Sequence, residues 1–185
     1  MDGSIPVIAA SIRTGVLTIF SRVIPTGGSM KTLIGSPALS EFKNQRLLSA
    51  IKKENPAITG VSAFFCHFVD TAEELSEAEL KQLEQLLTYG PRMQAQASDG
   101  DLALVLPRIG TISPWSSKAT DIAHICGLTK IKRIERGIAY YLQGADWTDE
   151  LKGHIHDRMT QVIMSELDRA QALFEQAVPA PMTSI

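Results

Sequence analysis

The sequence predicts a chain in which strands and helices alternate, and three observations carry that reading. Apolar, β-branched runs such as 58–69, 102–106 and 131–142 are separated by stretches whose apolar residues recur at helical spacing, roughly four times in all. That order fits a parallel α/β sheet. The strands are unequal, however, and the two long ones carry many polar residues, so a half-solvated α+β arrangement of two similar lobes fits equally well. A chain of 185 residues can fill one core or two small, intimately packed lobes.

Residues 1–29 contain Arg13 and Arg22, several Ser, Thr and Gly, and a single acid, Asp2. No basic region precedes an apolar core, which argues against a signal peptide. The scarcity of acids also fits a transit-like segment. We read 1–29 as an appended extension, disordered or loosely docked, because Met30 begins a much more regular pattern.

Lys31–Ile34 then reads as a short strand ending at Gly35. Ser36-Pro37 opens a helix, with Pro at a first-turn position where its missing N–H costs nothing. Leu39, Phe42, Leu47, Leu48 and Ile51 form its apolar stripe, and Pro56 stops it. Ile58–Val69 is a long strand. Ser76 and Glu79 have capping-box spacing, Leu80, Leu83, Leu86 and Leu87 line one face, and Gly90-Pro91 ends that helix. After a turn at Ser98–Gly100, Leu102–Leu106 is a strand, and a hydroxyl-rich loop leads to a helix from Ser116 or Ser117 that Gly127 closes. Ile131–Leu142 is the second long strand, with Ile134, Ile138 and Tyr140 on one parity. Asp146 or Thr148 caps a helix to about Asp157, a last helix covers Met164–Ala177, and Val178–Pro181 has linker composition.

Composition narrows the function classes. The apolar fraction of 44% and charged fraction of 21% are those of an ordinary globular protein. A net charge of −2 gives no drive toward nucleic acid, and no apolar run is long enough to span a bilayer. Cys66 and Cys126 lack metal-ligand spacing and read as reduced, small core residues of a cytosolic protein.

The segment Pro107–Gly127 carries the most chemistry. Thr111, Ser113, Ser116, Ser117, Trp115 and the Lys118 ammonium gather at a helix start, where free N–H groups and the helix dipole favour an anion. The Gly-x-x-x-x-Gly-Lys frame of a P-loop is absent, and serines that merely cap the helix explain the same spacing. His154 and His156 point to different faces of a helix, and His67 and His124 lie elsewhere, so no metal set is expected. There is no Gly-x-Ser-x-Gly elbow and no activated thiol. Lys130, Lys132 and Arg136 share one strand face, which can meet an anion or make interdomain salt bridges; Arg133 lies opposite, with Glu135.

The runs Gly110–His124, Arg133–Tyr141 and His156–Met159, preceded by Met30–Ser40, resemble phosphoribosylformylglycinamidine synthase (FGAM synthase) in its large single-chain form. The resemblance runs from Met30 to the end and is to the N-terminal domain, which is like two copies of the small subunit of the split enzyme. It implies an α+β fold of two related ferredoxin-like lobes, a pseudo-dimer. It divides the chain into a non-family extension at 1–29, the domain at 30–163, and a helix with the start of a linker at 164–185.

The implied enzyme is a carbon–nitrogen ligase of purine biosynthesis. It converts formylglycinamide ribonucleotide to the amidine with ATP and magnesium, taking ammonia from glutamine. The synthetase segment Ser-Glu-His-Cys-Arg-His and the glutaminase turn Gly-Val-Cys-Asn-Gly-Cys-Gln are not in these 185 residues. The resemblance therefore implies a cytoplasmic fragment, inactive alone and without a cofactor of its own. Its partners would be the synthetase and glutaminase domains, with no nucleic acid or membrane. It would carry no catalytic or metal residue, and would contact substrate or a neighbouring domain through Thr111, Ser113, Trp115, Ser116, Ser117, Lys118 and Arg136. A stand-alone partner subunit and a free phosphate-binding module are the alternatives.

Overall fold

The structure is a computed structural model that describes residues 23–25, 30–89 and 100–174. The first part of the chain forms β1 (Val23–Pro25), β2 (Met30–Pro37), α1 (Glu41–Glu54), β3 (Gly60–Thr71) and α2 (Glu77–Leu86). The second forms β4 (Asp101–Pro107), α3 (Pro114–Ile125), β5 (Ile131–Gln143), the short α4 (Asp149–Lys152) and β6 (Gln161–Met164), followed by a 3₁₀ segment at Asp168–Phe174. The rest of 1–29, the Gly90-Pro91 stop and the linker-like 178–181 lie outside the described residues.

The strands form one sheet in the order β1-β2-β3-β5-β4-β6, and every pair is antiparallel. That excludes the parallel α/β sheet, so the fold is α+β. The long strands β3 and β5 occupy its centre and pair from Gly60↔Gln143 to Thr71↔Ile131.

Side-chain alternation sends the strand residues into two layers. On one face, α1 and α4 bury Ile51 and Leu151 against Val61, Ala63, Tyr140 and Leu142 at one end of the central strands. At the other end α2 and α3 bury Leu83, Leu87 and Ala123 against Val69, Ile131 and Ile134. The opposite face buries Cys66, Phe68, Leu104, Leu106 and Ala139 against Leu167 and against Ala170 and Leu173 of the 3₁₀ segment that follows it.

Local chemistry explains most boundaries. Ser40, Ser76, Ser113 and Thr148 each cap a helix by accepting from the backbone N–H three residues on. At Ser76 the capping box is complete, with Ser76 N–H donating to Glu79 Oε2 at 2.7 Å. Gly127, at φ +88°, ends α3 in the left-handed conformation that glycine adopts without strain.

Several expectations are corrected. Pro37 does not start a helix: it ends β2 beyond a bulge that follows Ile34, pairing with Phe64, and α1 begins only after Ser40. A bulge tolerates the missing N–H as well as a first helical turn does. Phe42 is 73% exposed and leaves the apolar stripe. The helix after Thr148 has only four residues. The expected helix from Met164 is replaced by the end of β6 and the 3₁₀ segment. Cys66 is buried, but Cys126 is exposed at the end of α3 and is no core residue.

Candidate functional site

The hydroxyl-rich loop is fixed by what β5 lacks. β4 pairs with β5 only as far as Val105↔Ile138, so among the described residues the first half of β5 has no strand neighbour on that side. α3 fills the gap with hydroxyls. Ser116 Oγ donates to Ile134 O at 2.6 Å, and Ile134 N–H donates to Thr120 Oγ1 at 3.0 Å. Leaving those buried backbone groups unpaired would cost about 1–3 kcal/mol each. Ser116 is accordingly fully buried.

A second bond set ties the loop to the other sheet face. Ser113 Oγ accepts from Ser116 N–H and donates to Glu135 Oε1 at 2.6 Å. Glu135 is fully buried and pairs with Arg133 Nη2 at 2.6 Å. Arg133 also donates to Thr111 O and Leu173 O, and its guanidinium lies 5.5 Å from the Phe174 ring centre. Thr111 Oγ1 donates to Arg108 O, which closes the turn.

Between the two helix pairs, the helix-side face of the sheet carries Phe65 and His67 from β3 and Arg136 from β5, with His67 opposite Arg136. Tyr89, after α2, and Trp115, in α3, complete a cluster. The Arg136 guanidinium is stacked between Phe65 (4.6 Å) and Trp115 (4.7 Å), contacts worth about 0.5–2 kcal/mol each. Arg136 Nη1 donates to Tyr89 Oη at 3.2 Å, and Tyr89 Oη lies 2.7 Å from His67 Nε2. His67 also packs on Trp115, with ring centres 5.6 Å apart. Its Nδ1 is buried facing the Leu33 backbone, outside hydrogen-bonding geometry. Burial, reinforced by the Arg136 charge, pushes the imidazole down to about 4, so His67 is neutral near pH 7.

Two clefts adjoin these elements. An apolar one of about 300 Å³ lies between α2 and α3, lined by Leu86, Tyr89, Trp115, Lys118 and Ile122. A polar one of about 740 Å³ lies between α4 and β6. Among the described residues, no group of three or more His, Cys, Asp or Glu side chains converges as a metal site. His124 bonds Ile131 O, His154 bonds Glu54, and His156 bonds Lys152 O.

Residues 64–174 match the family model described as formylglycinamide ribonucleotide amidotransferase N-terminal. The chain belongs to that family. It is thus an N-terminal domain of FGAM synthase, an enzyme of purine biosynthesis. The match takes in β5, the loop before α3 and the whole Arg136 cluster.

Within this N-terminal domain the expected site residues divide. Ser113 and Ser116 are spent on the cap, Glu135 and the β5 edge, and the Thr111 hydroxyl on its turn. Ser117 and Lys118 are exposed, and among the described residues no ion pair holds the ammonium. Trp115 and Arg136 meet each other in the cluster. Sequence reading missed the partners: Phe65, His67, Tyr89, Thr120 and the bond from Ser113 to Glu135. A histidine on the odd parity of β3, shared with the buried Val61, Ala63 and Val69, was the available signal for a buried imidazole.

Proposed function

We propose that this chain docks on the synthetase core of FGAM synthase, helping to enclose its site and the path of ammonia from the glutaminase. One observation carries this reading. The loop after β4 and the loop before β6 meet at one end of the sheet, where Arg108 N–H donates to Thr160 O at 3.0 Å. Together they hold Ile109, Ile112 and Met159 42%, 64% and 77% exposed, with Arg108 and Arg158 beside them. Large apolar side chains gathered among cations fit a protein interface better than a solvated surface.

By this reading ATP, magnesium and glutamine are handled by the other domains in the cytoplasm, and the enzyme is a carbon–nitrogen ligase. Among the described residues, no group of three or more His, Cys, Asp or Glu side chains converges to hold magnesium. The internal commitment of the Ser113 and Ser116 hydroxyls favours docking over a free phosphate site.

The two-lobe origin is supported by the order of elements. β2-α1-β3-α2 is followed by β4-α3-β5-α4, and the four central strands run β2-β3-β5-β4, a palindrome about the β3/β5 pair. That palindrome is what two related halves facing each other across the β3/β5 pair would give, each half supplying two central strands.

The test mixes the purified chain with an FGAM synthase lacking its N-terminal domain. Binding and restored amidine formation are expected, with no turnover from the chain alone. Turnover by the isolated chain, or failure to bind, rejects the reading.

A further inference from the structure

The edge strand β6 has chemistry that the docking surface does not use. Because Arg108 N–H donates to Thr160 O, alternation makes Leu106/Val162 and Leu104/Met164 the hydrogen-bonded pairs of the β4–β6 ladder. Val105/Ile163 is then a non-bonded pair, and Ile163 turns its N–H and C=O to the outer edge. No described strand pairs with that edge. Gln161 also turns its carbonyl outward, while its N–H is held by Asp157 O at 2.8 Å.

Along this edge runs the cleft of about 740 Å³, lined on the strand side by Gln161, Ile163 and Ser165. Trp147, Lys152, His156 and Arg158 form the other side. Two acids also line it, and both are engaged: Asp101 Oδ2 accepts from Trp147 N–H at 2.8 Å, and Asp149 lies 3.4 Å from Lys152 Nζ. Arg158 is exposed, and no ion pair holds it among the described residues. His156 uses Nδ1 on Lys152 O at 2.7 Å, which leaves Nε2 for a ligand.

We propose that this edge and cleft take an extended, acidic polypeptide segment, which adds a strand on Ile163 and sets a carboxylate against Arg158 and His156. Main-chain bonds to an open edge supply affinity, and a flanking cation supplies selectivity. A cleft lined by alternate residues Gln161, Ile163 and Ser165 of an edge with open main-chain groups fits an extended chain better than a compact anion. Arg158 also borders the docking surface, but Ile163 and His156 are not part of it, so protection of the Ile163 amide tests this proposal separately from docking.

The test uses the full chain, ¹⁵N-labelled, with a short blocked peptide of alternating Thr and Glu. A peptide with Lys in place of Glu and inorganic phosphate serve as controls. The acidic peptide is expected to slow exchange of the Ile163 amide, and the Lys peptide is not. Ile163→Pro removes the outward N–H and leaves the β4 ladder intact, so it should weaken binding at least about tenfold. Arg158→Ala should weaken it as well, and decides the matter if the proline variant does not fold. Three results overturn the proposal: an unprotected Ile163 amide at millimolar acidic peptide, whether or not phosphate perturbs the cleft; binding indifferent to Ile163→Pro in a folded variant; or, where that variant does not fold, binding indifferent to Arg158→Ala.

Discussion

Arg133 Nη2 stands 2.6 Å from Glu135 Oε2, and through this one ion pair the chain fastens two separate segments, the loop before α3 and the 3₁₀ segment, to β5. Arg133 holds the carbonyls of Thr111 and Leu173, while Glu135 accepts the Ser113 hydroxyl. With Glu135 fully buried, removing one partner strands a charge. Glu135→Ala or Arg133→Ala should each destabilise the fold by about 3–5 kcal/mol. The double variant should lose much less than the sum of the two, because neither charge is then left alone. Urea unfolding of the three variants measures this; additive losses would mean that the pair does not act as a unit.

The His67 imidazole gives the fold a defined acid sensitivity. Its value of about 4 lies below the unfolded 6.5, so between these limits the unfolded chain binds more protons. The stabilisation is complete above pH 6.5 and is lost as the pH falls toward 4. By pH 5 about 2 kcal/mol should be gone. A carboxylate held low contributes a separate window: Glu79, at about 2 through the Ser76 backbone and then Lys130, loses its contribution only below pH 4.5. Unfolding free energies of wild type and His67→Gln at pH 7 and pH 5 separate the two. The wild-type slope should be steeper, and equal slopes would show that His67 titrates normally.

Gly137 marks the point where β4 departs from β5. A Cβ there would lie 2.5 Å from Leu106 Cδ2 and 2.8 Å from the backbone oxygen of Val105, and the latter cannot rotate away. Gly137→Ala should cost about 1–3 kcal/mol by overpacking. Gly127 provides the contrast, since its Cβ would meet nothing within 4 Å and only the positive φ is strained. Gly127→Ala should cost about 1 kcal/mol. Thermal melts of both variants test the order, which reverses if the strand can shift at Val105.

What could be read in the sequence was what depends on near neighbours. The Ser76–Glu79 box and both long strands follow from spacing and residue type alone. The same locality misled at Pro37, because a bulge and a first helical turn make similar use of a missing N–H. It misled again after Met164. Leu167, Ala170 and Leu173 recur every third residue, which is the period of a 3₁₀ turn rather than of an α-helix. In the candidate site, the helix expected from Ser116 or Ser117 begins earlier, at Pro114 with Ser113 as its cap; Pro114 was the signal for that start, since proline favours the first helical position. That Ser116 reaches Ile134 could not be read. The bond exists only because β4 stops pairing at Val105, a consequence of the whole sheet.

If the end of the sheet near Thr160 is a docking surface, its apolar side chains should matter to association and hardly at all to folding. Ile112 and Met159 are 64% and 77% exposed, so replacing either by Asp should change stability by no more than about 0.5 kcal/mol. Burying an unpaired carboxylate in an interface is far costlier. The double variant Ile112→Asp, Met159→Asp should therefore keep the wild-type melting temperature and lose binding to an FGAM synthase without its N-terminal domain by at least about tenfold. Ser113→Ala should do the opposite. It removes both a helix cap and the bond to buried Glu135, costing about 1–3 kcal/mol. Binding at a temperature where that variant remains folded should be nearly unchanged. Melting curves and titration of both variants against the same partner supply the comparison. Intact binding by the Asp pair would move the interface elsewhere on the molecule.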